Sequence, residues 1–224
     1  MSSDLQPVLF TLDDHSTGVA ELFPAVWGAA EGLTDPDARV RLESLERLQA
    51  LDAPRLSPIA ACLIAGLLTD PDLQVRKLAV KIIGDLLAVD EQGRAAAERV
   101  KRHLKYSLAQ MRKRTVYALL QCAEADAALE KPIARIFNAC PYAGNHLMEI
   151  LEERKMPLEI RRKAVQFIGL VGYLEAVPAL QRLAARLEAR QNGQQRMPFA
   201  PADGPDEAAL LPEIHTALQI LNAP

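Results

Sequence analysis

The string Leu33-Thr34-Asp35-Pro36-Asp37-Ala38-Arg39-Val40-Arg41 returns 35 residues later as Leu68-Thr69-Asp70-Pro71-Asp72-Leu73-Gln74-Val75-Arg76. Self-similarity at a period of roughly 20–50 residues marks an architecture of stacked units, each finished only by its neighbour. The residue types inside the period point to helices, so the expected fold class is all-α, an α-solenoid of about five helix pairs.

The repeated string has a simple physical reading. A first helix ends near a Leu, and Thr-Asp-Pro breaks it, because proline disfavours helical backbone in the residue before it. The Asp before the proline is expected to act as N-cap, with Pro at the first helical position, where its missing N–H costs nothing. The second helix then opens on an aliphatic residue followed by Arg. Those aliphatic residues are Val40, Val75, Met111 and Ile160, followed by Arg41, Arg76, Arg112 and Arg161. Four positions on stands a small residue (Ser44, Ala79, Thr115, Ala164), and eight positions on a large aliphatic (Leu48, Ile83, Leu119, Ile168). Offsets of 0, 4, 5 and 8 share one helical face, which makes this the core stripe. Gly84 and Gly169 follow the large aliphatic directly, where a missing Cβ suits close helix approach.

In this register the helix pairs are 17–33 with 37–51, 54–69 with 71–89, 93–108 with 110–124, 143–155 with 157–172, and 174–190 with 206–222. An extra helix at 127–139 interrupts the period. Pro58, Pro132 and Pro178 fall in first turns, where they are tolerated. Residues 1–16 read as a flexible N-terminal tail and 17–224 as a single solenoid domain. The run 191–205, rich in Gly, Pro and Gln, reads as an inserted loop that is merely tolerated, with docking of its apolar Met197-Pro198-Phe199 in a partner groove as the second reading.

Half of the 224 residues are hydrophobic, a quarter are charged and only 4% are aromatic, a composition that suits Ala/Leu-rich helices better than sheets. No run approaches the roughly 18 apolar residues of a membrane span. Cys62, Cys122 and Cys140 are odd in number and far apart, as expected of small buried hydrophobes in the cytoplasm. The net charge of -3 is unevenly spread. Residues 1–53 carry 3 basic and 10 acidic side chains, whereas residues 54–123 carry 12 basic and 6 acidic.

The pattern Asp-Pro-Asp-x-x-Val-Arg, with a small residue four after the Val and a Leu/Ile-Gly pair beyond, resembles HEAT repeats, most closely the short HEAT-like repeats of phycobilisome lyases. The resemblance covers residues 17–190 and, more faintly, 206–222; the third repeat lacks the Asp-Pro turn. It implies a right-handed solenoid, an armadillo-type superhelix whose second helices line a concave face. It further implies a ladder of Arg41, Arg76, Arg112 and Arg161 with turn acids such as Asp37 and Asp72, and protein binding more often than catalysis.

Two and six positions after the core aliphatic, side chains are expected on that concave face, among them Leu42, Glu46, Lys77, Lys81, Lys113, Tyr117, Arg162 and Gln166, with Arg114 and Lys163 beside them. Arg94, Arg99, Lys101, Arg102, His103 and Lys105 add charge from the neighbouring helix. Clustered Lys and Arg steer anions, so the expected function is a non-catalytic scaffold or adaptor. It would bind an acidic protein partner through Lys77, Lys81, Lys113, Arg114, Tyr117, Arg162 and Lys163, with a solvated helix face as the plainer reading.

The alternatives are a nucleic-acid-binding protein resembling HEAT-like DNA-repair glycosylases and a lyase-like cofactor-attachment factor. Against the first, only Tyr117 interleaves with the charges, and Trp27 reads as packing. No residue set for catalysis, cofactor binding or metal binding emerges. His15, His103, His146 and His215 are scattered; His146 with Glu149 and Glu153 lacks a matching partner pair. Cys140, at a turn near His146, reads as a structural thiol.

Overall fold

The structure is a computed structural model, and it describes residues 23–89, 93, 95–191 and 207–223. The expected tail 1–16, the start of the first helix (17–22), Arg94 and loop residues 192–205 lie outside the described residues. Regular structure is helical throughout the described residues, apart from an isolated antiparallel bridge between Val89 and Ala95. The chain divides into two units, Met1–Leu104 and Lys105–Pro224, and each is taken by itself.

The first unit is built around the repeated turn. Helices α1 (Pro24–Gly32) and α2 (Ala38–Ala50) pack as a pair, α3 (Ala53–Leu56) leads into α4 (Pro58–Gly66), and α4 pairs with α5 (Leu73–Leu86). The second helices α2 and α5 also pack on each other. Helix α6 (Glu98–Ala109) carries the chain across the boundary. The single helix expected over 54–69 is instead split at Ser57, whose extended backbone (φ -113°, ψ 118°) precedes Pro58. Proline cannot donate the bond that would continue α3, and Ser57 restarts the chain by accepting from Ala60 N at 3.1 Å.

The N-caps fall on Asp37 and Asp72, the residues after the prolines and not those before them. Asp37 accepts from Arg39 N at 2.9 Å, and Asp72 from Gln74 N at 2.8 Å and Val75 N at 3.0 Å. Asp35 and Asp70 serve one step earlier, each accepting the N–H of the capping Asp at 2.8 Å. The proline thus fixes the turn that leads into the cap.

The second unit comprises α7 (Lys113–Ala125), α8 (Glu130–Asn138), α9 (Ala143–Glu152), α10 (Leu158–Leu170), α11 (Val177–Gln191) and α12 (Leu211–Leu221). Short 3-10 turns precede α8, α11 and α12. Helix α10 packs against α9, α7 and α12, and α12 also packs against α11. At the α10–α12 crossing, a Cβ on Gly169 would lie 3.1 Å from the Ala217 backbone, so the missing side chain suits the close approach of the two helices.

The core stripe follows the expected register with two exceptions, Val40 and Thr115, the latter half-buried on α7. Val75, Ala79, Val80 and Ile83 are fully buried on α5, as are Ala164, Val165 and Ile168 on α10 and Val116 and Leu119 on α7; Ile160 and Met111 are 5% and 9% exposed. Leu45 and Leu48 are fully buried on α2, but Val40 is 36% exposed. Val40 stands in the first turn of α2, close to Gly32 at the end of α1. Trp27, expected in packing, is 47% exposed on α1.

Candidate functional site

The residues singled out for partner binding divide between the units. Lys77 and Lys81 stand on α5 of the first, Lys77 half-buried and Lys81 exposed. Lys113, Arg114, Tyr117, Arg162 and Lys163 belong to the second, on the neighbouring helices α7 and α10.

Three of the four cations among these five residues are tied to carboxylates of their own unit. Lys113 Nζ donates to Glu153 at 2.7 Å, and Lys163 Nζ to Glu130 at 2.7 Å and to Gln166 at 3.1 Å. Arg162 Nε donates to Glu213 at 2.8 Å, and its Nη1 to Glu159 at 3.1 Å. The hydrogen bond from Lys163 outweighs burial and holds the Glu130 carboxyl below the usual range. Glu213 and Glu159 raise the pKa of the Arg162 guanidinium. Half-exposed pairs of this kind contribute at most about 1 kcal/mol, so a stronger external anion can open them. Arg114 is exposed and Tyr117 is half-buried.

The arginines expected to form a ladder do not share one kind of partner. Arg41 is 7% exposed, and its Nε and Nη2 reach Asp70, the acid of the next turn, and not Asp37. Its Nη1 also holds the Asp35 and Pro36 carbonyls, and Arg76 Nη1 holds the equivalent Asp70 and Pro71 carbonyls at 2.6 and 3.1 Å. Arg161, 2% exposed, donates from Nε to the Leu151 carbonyl at 2.8 Å. Arg112 is exposed at the N-cap of α7. Asp37 and Asp72 are occupied as caps, which is why neither serves as a rung.

A second cationic cluster was not singled out from the sequence. Arg182, Arg186 and Arg190 recur every fourth residue along α11, a signal readable in the chain itself. Arg182 and Arg186 join Arg154 and Arg161 around a cavity of about 540 Å³ between α9 and α11. Glu207 lies at its edge, 2.9 Å from Arg161 Nη1, 3.3 Å from Arg190 Nη1 and 3.9 Å from Arg154 Nε. Burial pushes the Glu207 carboxyl up, but Arg161, Arg154 and Arg186 outweigh it and hold it below the usual range.

A further exposed group lies on α6, where Arg99, Arg102 and Tyr106 recur at helical spacing and Tyr106 is 74% exposed. Tyr106 is therefore an aromatic among cations that the reading centred on Tyr117 overlooked.

Cys140 is 4% exposed, and burial pushes its thiol up, which favours the protonated and unreactive form. His146 Nδ1 approaches Glu149 at 3.5 Å without hydrogen-bond geometry. Among the described residues, no three His, Cys, Asp or Glu side chains converge as metal ligands would. No helix among them is long and apolar enough to cross a membrane.

Comparison with protein-family models, curated proteins and solved structures finds no match.

Proposed function

We propose that the chain is a non-catalytic scaffold, a right-handed HEAT-like solenoid of about five helix pairs that binds an acidic protein partner through its second helices. The supporting observation is the succession within the second unit, where α10 packs on its own first helix and on the second helices before and after it. Stacked repeats make this pattern because each pair leaves apolar surface on both sides. The Arg41–Asp70 link between consecutive turns supports the same reading in the first unit. Free thiols at Cys62 and Cys140 fit the cytoplasmic location included in this reading.

The contacts divide by how they are held. Lys81 and Arg114 are exposed and make no hydrogen bond or ion pair with any described residue, so they meet a partner first. Lys113, Arg162 and Lys163 exchange an internal carboxylate for an external one. Charges held at a rim mainly set association rate and salt dependence.

One observation favours a second reading, nucleic-acid binding: the exposure of Tyr106 beside Arg99 and Arg102, since an aromatic among cations offers a stacking platform. The test compares a poly-glutamate peptide with a short DNA duplex and a single strand, using wild type and Lys81→Glu/Arg114→Glu. The scaffold reading expects the peptide to bind with steep salt dependence, with affinity lost in the double variant at unchanged melting temperature. Binding of the nucleic acids alone, lost on Tyr106→Ala, would replace it with the second reading.

A further inference from the structure

The cavity between α9 and α11 does not belong to the second-helix surface argued above, and its chemistry is different. Its apolar floor includes Leu151 and Leu183, and four guanidinium groups, those of Arg154, Arg161, Arg182 and Arg186, surround it. About 540 Å³ is within the range of cavities that take small molecules, roughly 300–1,000 Å³.

Gathering these cations has a cost. Arg182 and Arg186 stand four apart on one helix, where like charges oppose each other by a few tenths of a kcal/mol. Among the described residues, the carboxylates at the cavity are Glu152 on its wall and Glu207 at its edge, so positive charge remains in excess there. Glu207 is committed to Arg161, and Arg161 is held rigidly by the Leu151 carbonyl with its side chain 3% exposed. Arg182 and Arg186 are exposed and make no hydrogen bond or ion pair with any described residue. The wall therefore combines one fixed, buried guanidinium with two whose donors are uncommitted.

We propose that this cavity is a binding site for a phosphomonoester carrying an apolar or aromatic body. A phosphate group brings close to two negative charges and three acceptor oxygens. The planar forks of Arg182 and Arg186 match those oxygens in pairs, a geometry an ammonium cannot reproduce. Arg154, whose only described partner is Glu207 at 3.9 Å, completes the ring of donors. The body of the ester lies on Leu151 and Leu183. A single carboxylate is the weaker ligand here, because Glu207 already fills that role at Arg161 and leaves Arg182 and Arg186 without a hydrogen bond or ion pair to any described residue.

The experiment is calorimetric titration of the whole chain at constant ionic strength with inorganic phosphate, adenosine 5′-monophosphate, and a phosphoserine peptide alongside its unphosphorylated form. Phosphate binds weakly and at least one ester binds more tightly. Arg182→Ala/Arg186→Ala loses about tenfold or more in affinity at unchanged melting temperature. Tighter binding of the nucleotide assigns a small-molecule source, and tighter binding of the phosphopeptide assigns a modified protein. The proposal is overturned if none of the phosphorylated probes binds, if the double variant binds them equally well, or if the unphosphorylated peptide binds as tightly as its phosphorylated form. Lys81→Glu/Arg114→Glu leaves phosphate binding intact, which separates this site from the second-helix surface.

Discussion

Arg41 and Asp70, 29 residues apart, meet fork to fork: Nε to Oδ2 and Nη2 to Oδ1, both at 2.7 Å, with the side chains 9% and 3% exposed. The pair ties the turn before α2 to the turn before α5, because Arg41 also holds the Asp35 and Pro36 carbonyls while Asp70 also accepts the Asp72 N–H. Such a link specifies how one repeat sits on the next.

Removing Asp70 alone leaves a buried guanidinium without its counter-charge. Asp70→Ala is therefore expected to cost about 3–5 kcal/mol in urea unfolding. Arg41→Met combined with Asp70→Asn keeps an acceptor for Asp72 N and removes the stranded charge, so it recovers most of that loss. A cost for Asp70→Ala below about 1 kcal/mol, the value of a surface pair, would contradict the burial described here.

Val75 and Val40 occupy the same place in the repeated string yet differ in surroundings, at 0% and 36% exposure. Val75→Asp places an unpaired charge in a closed core and is expected to cost more than about 4 kcal/mol. Val40→Asp leaves its charge in reach of water and is expected to cost less than about 1 kcal/mol. Thermal melting of the two variants side by side checks this. Equal losses would mean that Val40 is covered in solution.

What the sequence made legible is what a single helix face encodes. The burial of Val75, Ala79, Val80 and Ile83 on α5, of Val116 and Leu119 on α7, and of Ile160, Ala164, Val165 and Ile168 on α10 follows from spacing alone. The capping residue was harder, since Asp35 and Asp37 both stand at plausible spacing and only the backbone path after Pro36 chooses between them. The state of the basic residues was not legible at all. Glu153, Glu213 and Glu130 neutralise Lys113, Arg162 and Lys163 from 40, 51 and 33 residues away, and no local pattern announces such partners. The row Arg182, Arg186, Arg190 was visible in the chain. Its meaning depends on Arg154 and Arg161, which only tertiary packing brings to it.

Gly144, in the first turn of α9, is buried under the ring of Tyr173. A Cβ there would overlap the ring carbons, and Tyr173 is itself held by its hydroxyl, which lies within hydrogen-bond reach of Asn145 and Glu175. Alanine would gain up to about 1 kcal/mol of helix propensity, less in a first turn. Displacing an anchored aromatic costs about 1–3 kcal/mol, so overpacking wins. Gly144→Ala is expected to lower stability by about 1–2 kcal/mol on denaturant unfolding. In Gly144→Ala/Tyr173→Ala the effect of the glycine change should vanish or reverse.

Glu207 links Arg161 of α10 to Arg190 of α11, and its folded-state pKa lies below the ordinary glutamate value of 4.5. Above that ordinary value the carboxylate is charged in both states, and the folded state gains the full interaction with the guanidinium groups. As the pH falls through 4.5 and then through the depressed folded value, the unfolded state takes up its proton first, and the stabilisation is lost progressively. Glu207→Gln lacks this contribution at every pH. Wild type is therefore expected to melt above Glu207→Gln near neutral pH, and the gap should shrink steadily once the pH drops below about 4.5. Melting temperatures of both proteins across an acid series check it. A gap that stayed constant down to the lowest pH would mean that Glu207 acts through shape and not through charge.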